Sequence, residues 1–314
     1  MSQKNNLLVS VVIPTYGRTD FVEEAILSVI NQTYKNIEII VCDDNVALPE
    51  IRKKIELILR KYPQCKLIQN KVNLGGSLNR NEGIKNSSGE LISFLDDDDI
   101  YLPTRIASVV DAYNNEVNKD NIGILYTYCY YSNSDLTIKG QYCIEPSNNP
   151  LFKHMLNCLC ATSQWTIPKY VFDKVGMFEE TPCKQDSIML LKILGSDFKC
   201  LCIPEKLSVF RDHDCSRISE NYGRHISGEN YYHLWLKKYY WKLTSLQIKQ
   251  VEANVYRRLL YNYSGMRDYL KIFECIIYVI KNTGVLSIKI WDLIYIIITP
   301  EVVKKIKKIL RYKK

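Results

Sequence analysis

The chain has no Cys-x-x-Cys pair, no Gly-x-Gly-x-x-Gly and no Walker motif, and each absence removes a class of function. Its 11 cysteines are scattered, and the close pairs Cys158/Cys160 and Cys200/Cys202 lack zinc spacing. An odd number of thiols without a secretory signal predicts reduced, buried cysteines in a cytosolic compartment. The opening stretch gives no such signal: Met1 to Asn6 is polar, and Leu7 to Pro14 is too short and strand-like for a signal core. ATP hydrolysis and dinucleotide binding lose ground, because Gly75-Gly76 alone carries neither fingerprint. Histidine is scarce, with four in the whole chain. Uncharged apolar runs fall well short of the ~18 residues of a membrane span; Glu274, Lys281, Lys289 and Asp292 interrupt them.

What is present suits one large domain with an appendage, or two domains: 314 residues, 46% apolar and 24% charged. The net charge of +8 is uneven. From Pro300 onward Lys304, Lys305, Lys307, Lys308, Arg311, Lys313 and Lys314 face only Glu301, which accounts for six of the eight charges. The body is nearly neutral, so a nucleic-acid-binding surface across it is not expected.

Apolar runs and helical stripes alternate through the first hundred residues. Leu8 to Ile13 is a β-branched run stopped by Pro14, and Ile37 to Cys42 is a second one that ends in Asp43-Asp44. Between them Val22, Ala25, Ile26, Val29 and Ile30 fall on one helical face, as do Ile51, Ile55, Ile58 and Leu59 after them. A short strand at Lys66 to Gln69 and a helix at Ser77 to Lys85 follow. These βαβ units predict a parallel sheet with right-handed crossovers. Further on, Ile122 to Tyr131 pairs with Leu136 to Ile144 as a hairpin, and strands are expected at Ser163 to Ile167 and Cys200 to Phe210. A helix from Ile188 to Gly195 carries Asp186 at or near its N-terminus, where an aspartate can act simply as a cap.

Residues 90–105 hold the densest chemical signal. Leu91, Ile92, Phe94 and Leu95 run straight into Asp96, Asp97, Asp98 and Asp99. Adjacent carboxylates raise one another's pKa unless a cation or a set of donors holds them ionised. At the carboxyl end of a buried strand they stand where open α/β sheets bind ligands, and Asp43/Asp44 should share that edge. A solvated acidic turn before a helix near Pro103 is the plainer reading. Carboxylates gathered there suit Mg²⁺ or Mn²⁺ completed by phosphate oxygens. An EF-hand is excluded, since Tyr101 stands where its glycine belongs.

In this order the residues resemble family 2 glycosyltransferases, over roughly residues 8 to 219. Val-Ser-Val-Val-Ile-Pro-Thr-Tyr-Gly-Arg is similar to the family's opening strand and nucleotide loop, and Ile-Glu-Ile-Ile-Val-Cys-Asp-Asp to its second strand. Asn-Leu-Gly-Gly-Ser-Leu-Asn-Arg-Asn-Glu-Gly-Ile, then Ser-Ser-Gly-Glu-Leu-Ile-Ser-Phe-Leu-Asp-Asp-Asp-Asp, resembles its most recognisable block. Val-Gly-Met-Phe-Glu-Glu and the later Gln-Asp match the acceptor-side turn and the catalytic carboxylate motif. The resemblance implies an α/β fold of the GT-A type, a Rossmann-like mixed sheet flanked by helices with a C-terminal helical extension. It implies a transferase domain over 1–220 and a helical region over 221–314.

The same resemblance implies an inverting, metal-dependent transfer from a nucleotide-diphospho-sugar, expected to be a UDP-sugar, to a glycan or polyprenyl-linked acceptor of a bacterial surface polysaccharide. Pro14, Thr15 and Tyr16 would line the base pocket, Asp43 would hydrogen-bond the base edge, and Arg80 would lie near the diphosphate or base. Asp96 would stand nearer the ribose, with Asp97 in the nucleotide-binding set, and Asp98 would hold Mn²⁺ or Mg²⁺. Four aspartates still permit two Asp-x-Asp registers. His213 would lie near the metal, and Asp186 would be the general base. Gln185 departs from the glutamate that many relatives carry before the base. A non-catalytic sugar-nucleotide-binding or assembly subunit, or a nucleotidyltransferase on a similar sheet, are the alternatives.

Beyond Asn221 the sequence turns helical and aromatic, with amphipathic stretches at Val251 to Tyr261 and Tyr269 to Ile280. Val302, Val303, Ile306, Ile309 and Leu310 interleaved with lysines read as a basic amphipathic helix that lies on an anionic membrane surface, with a solvated lysine tail as the rival. The expected location is therefore cytoplasmic, at the inner face of the membrane.

Overall fold

A computed structural model describes residues 6–145, 147–212 and 221–284. In chain order the strands and helices are β1 (Val9–Thr15), α1 (Val22–Ile30), β2 (Ile37–Asp43), α2 (Pro49–Leu59), β3 (Cys65–Gln69), α3 (Gly75–Lys85), β4 (Leu91–Phe94), β5 (Ile100–Tyr101) and α4 (Arg105–Asn115). They continue as β6 (Ile122–Ser132), β7 (Ile138–Tyr142), α5 (Pro150–Leu156), β8 (Trp165–Pro168), α6 (Lys169–Val175), α7 (Gln185–Gly195), β9 (Lys199–Arg211), α8 (Tyr222–Lys237), α9 (Ser245–Met266) and α10 (Tyr269–Thr283).

The chain divides into two compact units. The first comprises Met1–Pro150, Leu159–Glu180 and Lys192–Asp214; the second comprises Leu151–Cys158, Thr181–Leu191 and Cys215–Lys314. Segments 151–158 and 181–191, which the sequence reading put before the boundary at 220, thus cluster with the C-terminal helices.

The first unit is a nine-stranded sheet in the order β3-β2-β1-β4-β8-β6-β9-β5, with β7 added to β6. Strands β3, β2, β1 and β4 are mutually parallel. Strand β8 runs antiparallel to both β4 and β6, which turns the parallel half into a mixed sheet. β6 pairs with β7 as the expected hairpin, and with β9 in parallel. Val9, Val11, Val12 and Ile13 are all buried, as a strand covered on both faces requires. Helix α1 packs with Val22, Ala25, Ile26 and Val29 inward, the stripe read from its 3.6-residue spacing. Helix α3 lies close on β1 and β2: a Cβ on Gly83 would come within 2.3 Å of a Val12 methyl.

The second unit is built from α8, α9 and α10 with α5 and the start of α7. Thr244 caps α9 in a reciprocal box with Gln247. Its interior is unusually polar. Glu229 is 1% exposed and bridges Arg258 at 2.6 Å and Lys184 at 3.2 Å. Glu252 accepts from His233 and Tyr240, each at 3.0 Å.

Candidate functional site

Strands β2 and β4 flank β1 in parallel, with Thr15 opposite Asp43 and Val12 opposite Phe94. The loops after β1, β2 and β4 therefore leave the sheet at one edge, which brings together the segments picked out from sequence. After β1, Pro14 is half-buried, Thr15 is buried and Tyr16 is exposed. Gly17 turns the chain at φ +79° and donates its N–H to Asn45 Oδ1 at 2.7 Å.

The two carboxylates ending β2 are wired into the chain. Asp43 is fully buried, and Oδ1 accepts from the Asn45 backbone and amide at 2.9 and 2.8 Å. Its Oδ2 accepts from Arg52 at 3.1 Å and Gln69 at 3.3 Å. Asp44 accepts from the backbone N–H groups of Leu74 and Gly75, both at 2.8 Å, and so ties β2 to the start of α3.

The four aspartates after β4 divide by environment. Asp96 is the most open, its side chain one-third exposed, and it takes Arg80 on one oxygen and the Thr162 hydroxyl on the other. Asp98 is 12% exposed at its side chain and lies 3.0 Å from Arg18. Asp97 is buried, with Oδ1 accepting from Arg18 Nε at 2.8 Å and Nη2 at 2.6 Å. Burial pushes its carboxyl up to about 6; Arg18 pulls it down and Asp98 adds to the rise. Asp99 is also buried, and burial, then Asp98 and Asp96, holds it well above the usual carboxylate range. Ser163 accepts from the Asp96 N–H at 3.0 Å and donates to Asp99 at 2.6 Å.

A second layer supports this loop. Arg105 is fully buried beneath it and donates to the Gln164 carbonyl at 2.9 Å and Thr166 Oγ1 at 3.3 Å, with its guanidinium 4.6 Å from the Tyr101 ring centroid. It therefore braces the segment that supplies Thr162 and Ser163 to the aspartates. Sequence reasoning gave no role to Arg18, Asn45, Thr162, Ser163 or Arg105. Arg18 and Ser163 stand 79 and 64 positions from the aspartates they bind, so no local pattern marked them.

Asp186 belongs to the second unit, in the first turn of α7. Its Oδ1 accepts from the Ser187 N–H at 2.7 Å. Lys184, two residues earlier, adopts φ 68° and reaches the buried Glu229. Burial alone would raise the Glu229 carboxyl, but Arg258 and Lys184 outweigh it and hold it below its usual range. His154 of α5 contacts the Ser187 carbonyl at 2.8 Å through Nε2 and so braces the turn that carries Asp186. His213 lies outside the described residues, as do 302–310.

Among the described residues no group of three or more His, Cys, Asp or Glu side chains is arranged to hold a metal ion. The partly exposed carboxylates of Asp96 and Asp98 are nevertheless of the donor class that suits a hard divalent ion, which takes one or two carboxylates and completes its shell with phosphate and water.

The fold is that of the GT-A glycosyltransferases. Staphylococcus aureus TarS 1-349, solved in complex with UDP-GlcNAc, superposes with a TM-score of 0.56 over 88% of this chain and 90% of that one, at 14% identity. Residues 10–169, about half the chain, match the family described as Glycosyl transferase family 2, and the chain belongs to that family. An uncharacterised glycosyltransferase of Rickettsia prowazekii is 35% identical over 184 residues, covering 55% of this chain and 54% of that one. The UDP-Glc:alpha-D-GlcNAc-diphosphoundecaprenol beta-1,3-glucosyltransferase WfgD of Escherichia coli is 31% identical over 154 residues, covering 49% of this chain and 57% of that one. This chain spans about half the length of the curated relatives it matches.

Proposed function

We propose that this protein transfers a sugar, with inversion, from a nucleoside-diphospho-sugar to a glycan or lipid-linked acceptor in bacterial surface polysaccharide synthesis. The observation that carries the reading is the convergence of Asp96, Asp98, Arg80 and the loop after β1 at one edge of the parallel strands. A uridine donor is favoured by two of the similar proteins, TarS with bound UDP-GlcNAc and WfgD with UDP-Glc in its name. WfgD's diphosphoundecaprenol acceptor supports a lipid-linked one here and a site of action at the inner membrane face. No helix among the described residues is long and apolar enough to cross a membrane.

Tyr16, half exposed beside the buried Thr15, offers a ring to the base, with Pro14 beside it. Asp43 already holds four donors, so a base edge would displace one of them, and the Gln69 amide at 3.3 Å is the longest. Arg80, clamped on Asp96, faces the diphosphate or base. The Asp96/Asp98 register is the more exposed one, with side chains 33% and 12% exposed against 2% for Asp97, and we place Asp96 toward the ribose and Asp98 toward the metal. Mn²⁺ or Mg²⁺ held there would neutralise the departing diphosphate as a Lewis acid. Asp186 is the proposed base that removes the acceptor hydroxyl's proton, a role that contributes roughly 10²–10⁴-fold.

The test is a panel of uridine and other nucleotide sugars with Mn²⁺ and lipid-linked or soluble acceptors. The reading predicts nucleoside diphosphate release that Asp98→Ala abolishes and an exposed control, Lys54→Ala, does not. Pyrophosphate release would instead mark a nucleotidyltransferase, and donor binding without turnover on any acceptor a non-catalytic relative.

A further inference from the structure

The stretch from Asn230 to Val251 contains no aspartate or glutamate but four lysines, Lys237, Lys238, Lys242 and Lys249. It forms the end of α8, a short turn at Tyr240–Lys242 and the start of α9. On this turn three large apolar side chains stand in solvent: Trp241 is 76% exposed, Leu246 66% and Leu234 59%. The lysines are interleaved with them, and Lys238 lies 3.4 Å from the Trp235 ring centroid while Lys242 lies 4.9 Å from that of Trp241.

The other side of the same turn is fixed. Tyr240 donates to Glu252 at 3.0 Å, His233 contacts the same oxygen at 3.0 Å, and Tyr278 of α10 reaches the other at 3.4 Å. Tyr256 and Tyr278 stack with centroids 3.7 Å apart. Trp241 and the lysines are therefore presented on a braced turn. These contacts also put the C-terminal half of α10 beside the turn.

We propose that this basic-aromatic turn is a docking surface for an anionic lipid bilayer. Tryptophan prefers the headgroup boundary, where its ring is buried and its N–H stays wet, and lysine stems lie along apolar surface while their ammonium groups reach the phosphates. The four lysines of a stretch without acidic residues supply the attraction to anionic lipid, and Trp241, Leu246 and Leu234 supply the apolar wedge. Nucleic acid would use the lysines but leaves Leu234 and Leu246 without a function. The turn adds a second element to the membrane-side reading above, one whose binding is independent of transfer chemistry.

The test uses the full chain and sedimentation with vesicles of POPC alone or POPC with 30% POPG. The expected result is salt-sensitive binding to the anionic vesicles only. Lys238→Gln/Lys242→Gln should lower the partition coefficient on the order of 25-fold, from the usual attraction per basic residue at such a surface. In parallel, brominated lipid should quench tryptophan emission in the parent chain, and Trp241→Phe should remove most of that quenching. These side chains are at the surface, so thermal unfolding and nucleoside diphosphate release with a soluble acceptor should be unchanged. That separates failure of this surface from failure of the transferase reading. Three results would overturn the proposal: no binding by the parent, parent-like binding by the lysine variant with loss only on neutralising Lys304 to Lys314, or quenching unaffected by Trp241→Phe. A fall in thermal stability of Trp241→Phe without a change in vesicle binding would mean that the ring serves packing within the chain, and would likewise overturn the proposal.

Discussion

His154 makes the second unit sensitive to mild acid. Its ring is 1% exposed, Nε2–H donates to the Ser187 carbonyl, and Nδ1 has no hydrogen-bond partner among the described residues. Burial lowers its pKa to about 4, against the opposing pull of the Ser187 carbonyl and Asp186 and with the help of Arg258 and Lys184. A depressed value means that the folded state prefers the neutral ring. The stabilisation is therefore complete above pH 6.5 and is lost as pH falls toward 4. A shift from 6.5 to about 4 corresponds to about 3 kcal/mol in full, of which about 2 kcal/mol disappears between pH 7 and pH 5. The assay is equilibrium urea unfolding of the parent chain and His154→Gln at both pH values. Groups common to the two proteins cancel in the double difference, which isolates the histidine. The variant starts less stable at pH 7 but should lose about 2 kcal/mol less on acidification. Parallel pH dependence in the two proteins would refute the assignment of a buried neutral imidazole.

Glu229→Ala leaves Lys184 and Arg258 facing each other without their carboxylate; because each keeps about a quarter of its side chain in water, the loss should be about 3 kcal/mol, the low end for breaking a buried pair, read by urea unfolding. Gly83→Ala drives a methyl into Val12 and against Cys42 Sγ, so about 2 kcal/mol should be lost and Val12→Ala in the same chain should recover part of it; independent, additive losses would count against that contact.

The parallel half of the sheet was legible because each strand is an apolar run that gives way near Pro14, Asp43 and Asp96 in turn, although β1 carries on through Pro14 to Thr15 and β2 takes in Asp43. Parallel pairing on both sides of β1 then put those ends together, as expected. Strand β5 has two residues and no periodicity to read, whereas the helix expected near Pro103 is present and begins at Arg105. Arg18, Thr162 and Ser163 were hidden for a different reason. They reach the aspartates from 79, 66 and 64 positions away, a pairing that tertiary structure alone selects. The carboxylate of Asp43 was read as an acceptor for a base, whereas the fold surrounds it with Asn45, Arg52 and Gln69. The interior of the second unit was equally illegible: α8 mixes polar and aromatic residues on every side, and nothing in its spacing marks Glu229 as buried.

We propose Asp186 as the base for the incoming hydroxyl and the aspartates after β4 as holders of the donor. Asp186→Asn separates the two most directly, by donor affinity and nucleoside diphosphate release measured side by side. The account predicts parent-like affinity with release slowed by roughly 10²–10⁴-fold. Release at the parent rate, or affinity lost in step with it, would contradict the account.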